Sequence, residues 1–463
     1  MARDFTVLIM AAGHGTRMRS SVAKVLHPVC GRPMVLWVAS AAEQAGADRV
    51  VCITRPGEGV AERLDSRVEI AEQTEGEGTG AAVLAARPAI ESAQTVAVLS
   101  GDHPLMTADA IREMIETHER EGAAATVLTT EELDPTGYGR VIRAADGSIE
   151  RIVETKNPDD VPAEVLGIRE INVGTYAFSA PDLLSALDEV EEASTGERYL
   201  TTVIEILRER GEKLVAHPTR DRLAAIGVND RADLIEIEAA ARKRLLREHA
   251  LAGVTFTSPE TTTIDAGVEI GEDTTIAAGV SLHGETKIGR GSKIGPHSTI
   301  TDATIGDDVT LSHAVLVECT VHDRATIGPF AYLRPGAEIG EGAKVGTYVE
   351  IKNSRIGAGA KVPHLSYIGD ADIGDGANVA AGNITANFGH KGGKKQRTVI
   401  GKRVKTGVHN SFIAPVTVGD DAYTGAGSVI AKDVPDGALG ISRPEQKNVE
   451  GYAERIKDQE PRE

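Results

Sequence analysis

The chain has 463 residues, 41% of them hydrophobic, enough to pack about two or three domains. Its 69 acidic and 50 basic residues leave a net charge of −19, which excludes a general nucleic-acid or anionic-membrane binder, because both need a basic surface. Aromatic residues are only 3% beside 50 glycines, while Val, Ile, Leu and Ala are plentiful; disorder is excluded, and the core must rest on small aliphatic side chains.

From the N-terminus, strand and helix signals alternate. FTVLIMAAG (5–13) reads as a buried strand running into a glycine turn, PMVLWVASAAEQAG (33–46) as a helix and RVVCITR (49–55) as a strand. GTGAAVLAARPAI (78–90) starts a helix, TVAVLSGD (95–102) is a strand with an acidic end, and ADAIREMIETHEREG (108–122) is an amphipathic helix before the strand AAATVLTT (123–130). Apolar strands separated by helices predict an α/β domain with a mainly parallel sheet, whose ligands bind beyond the carboxyl ends of the strands. Gly13 and Asp102 stand at such ends. The segment 230–253, rich in charge, Ala and Leu, predicts a connecting helix ended by Gly253. The domains are therefore expected at 1–229 and 254–463, with a linker at 230–253.

Behind the linker the grammar changes. Residues 1–253 hold 20 glycines and residues 254–463 hold 30. An aliphatic residue recurs every six positions from Ile264 through Ile270, Ile276, Leu282, Ile288 and Ile294 to Ile300. A step of five leads to Ile305, then Leu311 and Val317, and a step of four to Val321, after which the pattern runs to Val379. A period of six is the hexapeptide signature of a parallel β-helix, with the aliphatic residue inward and Gly or Asn in the turns. Such a prism serves as an acyltransferase or as pure scaffold, and it favours oligomers.

Several residues carry chemistry by type and place. Ala11-Ala12-Gly13-His14-Gly15-Thr16-Arg17 is a glycine-rich turn closed by a cation, with Lys24 soon after; such a loop cradles phosphate or is simply a tight turn. It is neither a Walker A loop nor GxGxxG. Asp102, which ends a strand in LSGDHPL, suits Mg²⁺ beside a nucleotide or the cap of a helix. Lys391, Lys394, Lys395 and Arg397 interrupt the repeat as a basic patch, fit for a phosphate or CoA or for solvent. His364, between Pro363 and Leu365, has the side chain suited to taking a proton from an amine near neutrality. Cys30, Cys52 and Cys319 form no CxxC, the N-terminus carries no signal-peptide pattern, and no run of about 18 apolar residues exists; the expectation is a cytoplasmic protein in a reducing compartment, without membrane insertion.

MAAGHGTRM with Lys24, EQTEGEGTG, LSGDHPL, DPTGYGRV, IVETK, EINVGTY and GVNDR occur in the order seen in sugar-1-phosphate nucleotidylyltransferases. Followed by the hexapeptide prism, nearly the whole chain resembles the bacterial bifunctional N-acetylglucosamine-1-phosphate uridylyltransferase/glucosamine-1-phosphate N-acetyltransferase family. The resemblance implies a Rossmann-like α/β nucleotidyltransferase domain, a helical arm and a left-handed parallel β-helix. It implies acetyl transfer from acetyl-CoA to glucosamine-1-phosphate, then uridylyl transfer from UTP with release of pyrophosphate. Ala11, Ala12, Gly13 and Arg17 would hold the nucleotide, with Lys24 on phosphate and Gln73, Gly78 and Thr79 on uracil. Gly139, Glu154 and Asn172 would meet the sugar, and Asp102 and Asn229 would bind Mg²⁺. In the rear domain, Arg334 and Lys352 would hold the sugar phosphate, Tyr367 and Asn378 the sugar, and His364 would be the base. Ala381, Asn387 and Ala426 would bind acetyl-CoA, with Arg443 on a CoA phosphate, in a homotrimer whose acetyl sites are shared between chains.

The chain departs from the family at His14, where Lys is frequent, at Ala23, where Pro is usual, and in the loop TEGEGTG. Phe388 replaces a Tyr and Val408 a Ser at the acetyl-CoA site, which leaves open a β-helix that only trimerises the enzyme. The residues also leave open another nucleotide or sugar.

Overall fold

The computed structural model describes residues 5–155, 159, 161–193, 196–388 and 393–457. The chain divides into two compact units, Met1–Leu245 and Leu246–Glu463.

In the first unit the uninterrupted apolar runs become the middle of a sheet. Phe5–Met10 lies parallel between Arg49–Thr54 and Thr95–Ser100, and Glu69–Glu72 extends the sheet beyond Arg49–Thr54. Ile171–Ser179 runs antiparallel between Thr95–Ser100 and Ala125–Thr130, and Leu214–Pro218 adds a parallel edge. The sheet is thus mainly parallel, with one reversed strand. Alternate residues of Phe5–Met10 enter opposite cores: Val7 and Ile9 pack with Val35, Val38 and Ile111, while Leu8 packs with Val83, Val96 and Ile204. Helices Met34–Ala45 and Ala108–Glu121 form where predicted. The helix predicted over 78–90 is two, Thr79–Ala85 and Arg87–Glu91. Pro88 is tolerated only in a first turn, so the chain restarts there. Met10, Thr54 and Ser100 end their parallel strands on one side, which gathers the loops that follow them.

Arg231–Leu251 is helical, and Gly253 follows it at φ +96°. It is more than an arm: the Glu238 carboxylate accepts the Cys30 N–H at 2.7 Å, and Arg244 donates to the Leu105 carbonyl at 3.4 Å. The division between units falls within this helix.

The second unit is the left-handed parallel β-helix of hexapeptide repeats. Its three main sheets have seven, ten and nine strands among the described residues, and within each sheet successive strands pair in parallel one coil apart. Ile264, Leu282 and Ile300 stack in register and are buried, as are Ile276, Ile294 and Leu311 on the neighbouring sheet. One predicted inward residue is corrected. Leu316, not Val317, stacks between Ile300 and Leu333, so the steps from Leu311 to Val321 are five and five rather than six and four. A slip of one residue in a strand reverses which side chain points inward.

Glycine and asparagine take left-handed turn positions as predicted, at Gly279, Gly336, Gly382 and Asn353 for example, and non-glycine residues such as Asp273, Asp308, His297 and His313 take others. Other glycines serve packing: a Cβ on Gly289 would meet the Gly306 carbonyl carbon at 2.6 Å, so this glycine permits close stacking of coils. Phe412 is buried inside the prism, whereas Phe330, Tyr348, Phe388 and Tyr423 are exposed. Small aliphatic side chains therefore do fill this core.

Candidate active sites

The gathered loops of the first unit enclose a cleft of about 380 Å³. Of the predicted residues, Ala12, Gly13, Lys24, Gln73, Gly78, Thr79, Asp102 and Glu154 line it. Gly15 sits at φ +56°, where a Cβ would meet Lys24 Cβ at 2.6 Å, so glycine lets the loop cross the lysine. Ala11 is buried behind the loop and its N–H donates to the Ile53 carbonyl at 2.9 Å.

The ammonium of Lys24 pairs with the Asp102 carboxylate, which also accepts the Ser100 hydroxyl at 2.7 Å. Burial pushes this carboxyl up, but Lys24, His103 and the bonds from Lys24 and Ser100 outweigh it and hold the pKa at about 2. Asp102 is ionised at any physiological pH. It caps no helix: Thr107 caps Ala108–Glu121 by accepting the Ala110 N–H at 3.1 Å. The Val228 N–H donates to the Asp102 carbonyl at 2.9 Å, which brings Asn229 alongside, and Arg17 donates to Asn229 Oδ1 at 2.8 Å. Four residues spread from 17 to 229 thus converge.

The remaining predicted contacts are engaged locally. Gln73 is buried and donates to the Gly76 carbonyl at 3.0 Å, while Thr79 Oγ1 accepts the Leu200 N–H at 2.9 Å. Gly139 and Asn172 are joined by a backbone bond of 2.9 Å but are not among the lining residues. The Asn172 amide donates to the Tyr176 hydroxyl at 2.7 Å. Sequence reasoning missed Arg55, Glu77, Glu197 and Tyr199, which line the cleft. Arg55 carries the signal that was used for Asp102, a charged residue just past the carboxyl end of a parallel strand.

In the second unit, His364, Ala381, Val408 and Ala426 occupy one corner of the prism in successive coils. Each precedes a residue in the left-handed region: Leu365, Gly382, His409 and Gly427. Backbone bonds link the coils, from Gly382 to the His364 carbonyl at 3.4 Å, from His409 to Ala381 at 2.8 Å and from Gly427 to Val408 at 2.8 Å. Arg443 donates to the Ala426 carbonyl at 3.3 Å. The corner is braced from within by polar groups that the aliphatic period did not reveal. Asn383 is fully buried and donates to the carbonyls of Ala380 and Gly407, and Ser366 donates to the His364 carbonyl at 2.8 Å.

At the far edge of the adjoining sheet, Arg334 follows Ala331–Leu333 and Lys352 closes Glu350–Lys352, stacked one coil apart. The Lys352 ammonium is held below the usual lysine range by contact with Lys395 and by the charge of Arg334. Arg334 also donates to the Glu350 carboxylate at 2.7 Å, so the cluster of three cations is partly neutralised within the chain. Tyr367 begins the next strand of that sheet. Asn378 lies on a different sheet, bridged to Lys361 and Lys405. The Asn387 amide donates to the Asp370 carboxylate, and the Phe388 ring is 69% exposed.

Of the predicted basic patch, Lys395 joins Arg334 and Lys352, whereas Arg397 is neutralised by a two-pronged pair with Asp372 at 2.7 Å. Lys391 lies outside the described residues. Beside Val408 the His409 ring packs over Gly382, and Ser411 lies in the next strand opposite Ile384. Among the described residues, no group of three or more His, Cys, Asp or Glu could hold a metal ion, and no helix is long and apolar enough to cross a membrane.

Residues 7–213 match the model of the MobA-like NTP transferase domain, and residues 267–302 and 318–353 match the bacterial transferase hexapeptide of six repeats. Proteins described as bifunctional protein GlmU match across both units. That of Heliobacterium modesticaldum is 45% identical, covering 96% of this chain and 97% of its own. That of Streptomyces avermitilis is 43% identical over 98% and 95%, and that of Shouchella clausii 44% over 98% and 100%. With a nucleotidyltransferase cleft and a hexapeptide prism in one chain, and this likeness running through both, the protein belongs to the GlmU family of bifunctional enzymes.

Proposed function

We propose that the two activities of this uridylyltransferase and acetyltransferase are carried by the residues gathered above, the rear unit acting first. There Arg334, Lys352 and Lys395 take the phosphate of glucosamine-1-phosphate, with Tyr367 and Asn378 on its sugar. His364 accepts a proton from the sugar ammonium, the freed amine attacks the acetyl carbon, the C–N bond forms as the C–S bond breaks, His364 returns its proton to the CoA thiolate, and the nitrogen's second proton leaves to solvent. Ala381, Asn387, Phe388, Val408 and Ala426 border the acetyl-CoA, and Arg443 meets a CoA phosphate.

In the front unit a phosphate oxygen of N-acetylglucosamine-1-phosphate attacks the α-phosphorus of UTP in line, and pyrophosphate leaves. The nucleophile is already an anion, so no general base is needed. Alignment and charge neutralisation remain, and Arg17 and Lys24 provide them. Ala11, Ala12 and Gly13 line the phosphate loop, Gln73, Gly78 and Thr79 take the uracil, and Gly139, Glu154 and Asn172 the sugar. Asp102 and Asn229 would hold Mg²⁺. They fit it: both offer hard oxygens, and each is already held by a cation of the chain, Lys24 on Asp102 and Arg17 on Asn229. When bound, the ion neutralises phosphate charge.

The convergence of Arg17, Lys24, Asp102 and Asn229 supports this reading most directly. We place the enzyme in the cytoplasm as a homotrimer. The rear residues favour sharing between copies, since His364 with its corner and Arg334 with Lys352 stand at opposite edges of a sheet. The test is a pair of assays on the purified chain: CoA release from acetyl-CoA and glucosamine-1-phosphate, and pyrophosphate release from UTP and N-acetylglucosamine-1-phosphate with Mg²⁺. His364→Ala should abolish the first and spare the second. Asp102→Ala should lower the second by on the order of 100-fold and spare the first.

A further inference from the structure

The nucleotide cleft holds more negative charge than a site for a polyanion should tolerate. Among the described lining residues, Glu77, Asp102, Glu154 and Glu197 face two permanent cations, Lys24 and Arg55, beside His14. Lys24 also pairs with Asp102, which offsets part of its charge. Glu77 immediately precedes Gly78 and Thr79, and its side chain is half exposed, open to whatever enters.

Arg55 follows the strand next to the one that leads to Glu77, and reaches this carboxylate. Its Nη2 donates to Glu77 Oε2 at 2.5 Å, and its Nε donates to the carbonyl of Ala12 in the phosphate loop at 2.8 Å. The guanidinium is thereby held between the two loops, with its side chain only 19% exposed. His14 Nε2 stands 3.6 Å from the same Glu77 oxygen. A planar fork with fixed donors is suited to holding two acceptors at once.

We propose that Arg55 is a positioning residue for the nucleotide triphosphate, acting by covering the Glu77 carboxylate. Without it, Glu77 is an uncovered anion beside the phosphate loop, and it repels a triphosphate at short range. The inference deepens the uridylyltransferase reading and rests on it.

The experiment measures pyrophosphate release for the wild type, Arg55→Ala, Glu77→Gln and the double variant, with CoA release as an internal check that the chain is intact. Arg55→Ala should raise KM for UTP about tenfold, leave KM for the sugar phosphate within about twofold, and lose part of its defect at raised ionic strength. Glu77→Gln alone should lower KM for UTP, about twofold, because the Arg55 cation then faces the triphosphate without its carboxylate. The double variant should return KM for UTP to within about threefold of wild type, because the repelling charge is gone. Such a rescue also shows that loss of Arg55 does not misfold the unit. A normal KM in Arg55→Ala, or a double variant as poor as Arg55→Ala, overturns the inference alone. Absence of pyrophosphate release from the wild type overturns the functional reading and this inference with it.

Discussion

Single residues decide how far the acetyl site follows its family. Val408 stands 43% exposed on the corner shared with His364, Ala381 and Ala426, so a hydroxyl there meets solvent or substrate and disturbs no packing. A hydrogen bond restored at a site is worth about 1–3 kcal/mol when its absence leaves a polar group unpaired. Val408→Ser is therefore expected to raise kcat/KM for CoA release roughly five- to tenfold with pyrophosphate release unchanged; an equal or lower rate would show that the chain has no use for the donor. In the sequence Asp102 stood out as an acid at the end of a strand, Lys24 as a cation soon after a glycine-rich turn, and His364 by its residue type. Arg55 announced itself as clearly, but its role depends on Glu77, and no sequence rule couples those two positions.

Elements explain which of these positions hold firm. The helix Ala108–Glu121 packs on the sheet with His118 buried, its Nδ1 3.1 Å from Thr126 Oγ1. Desolvation pushes this imidazole down to about 4, partly opposed by Asp182. The folded pKa lies below the unfolded value of 6.5, so the contribution is complete above that pH. It is lost as pH falls toward about 4, by on the order of 3 kcal/mol. Urea unfolding of His118→Asn at about pH 7.5 and 4.5 should show a smaller acid loss than wild type. In the prism, Asn383→Ala leaves the carbonyls of Ala380 and Gly407 without their side-chain donor. A cost of at least about 2 kcal/mol is expected, with a lower melting temperature of the rear unit and slower CoA release. The period of six located the prism, but the buried Asn383 and the step to Leu316 escaped it. A periodicity read from aliphatic residues is blind to an inward polar residue and cannot tell neighbouring apolar positions apart.

At the scale of the whole molecule, the proposed sharing of acetyl sites between copies is testable. In a trimer with shared sites, chains bearing Arg334→Ala and chains bearing His364→Ala, each inactive alone in CoA release, should regain activity when mixed and allowed to exchange, to about a quarter of wild type or less. No recovery, with mixed trimers verified by mass, would place each site within one chain. The glycines concentrate after residue 253, whereas the scarcity of rings runs through both parts, with six of the fifteen aromatic residues before residue 254 and nine after it. By itself the sequence determined the two-part architecture, the order of the front elements and the hexapeptide prism, because hydrophobic periodicity and glycine spacing are written along the chain. Tertiary structure alone decided that Lys24 meets Asp102, that Arg17 meets Asn229, that Lys395 rather than Arg397 joins the cation cluster, and that Arg55 covers Glu77. Those pairings join residues remote in sequence, and an ion pair forms only where strand register and loop closure bring its charges within a few ångströms.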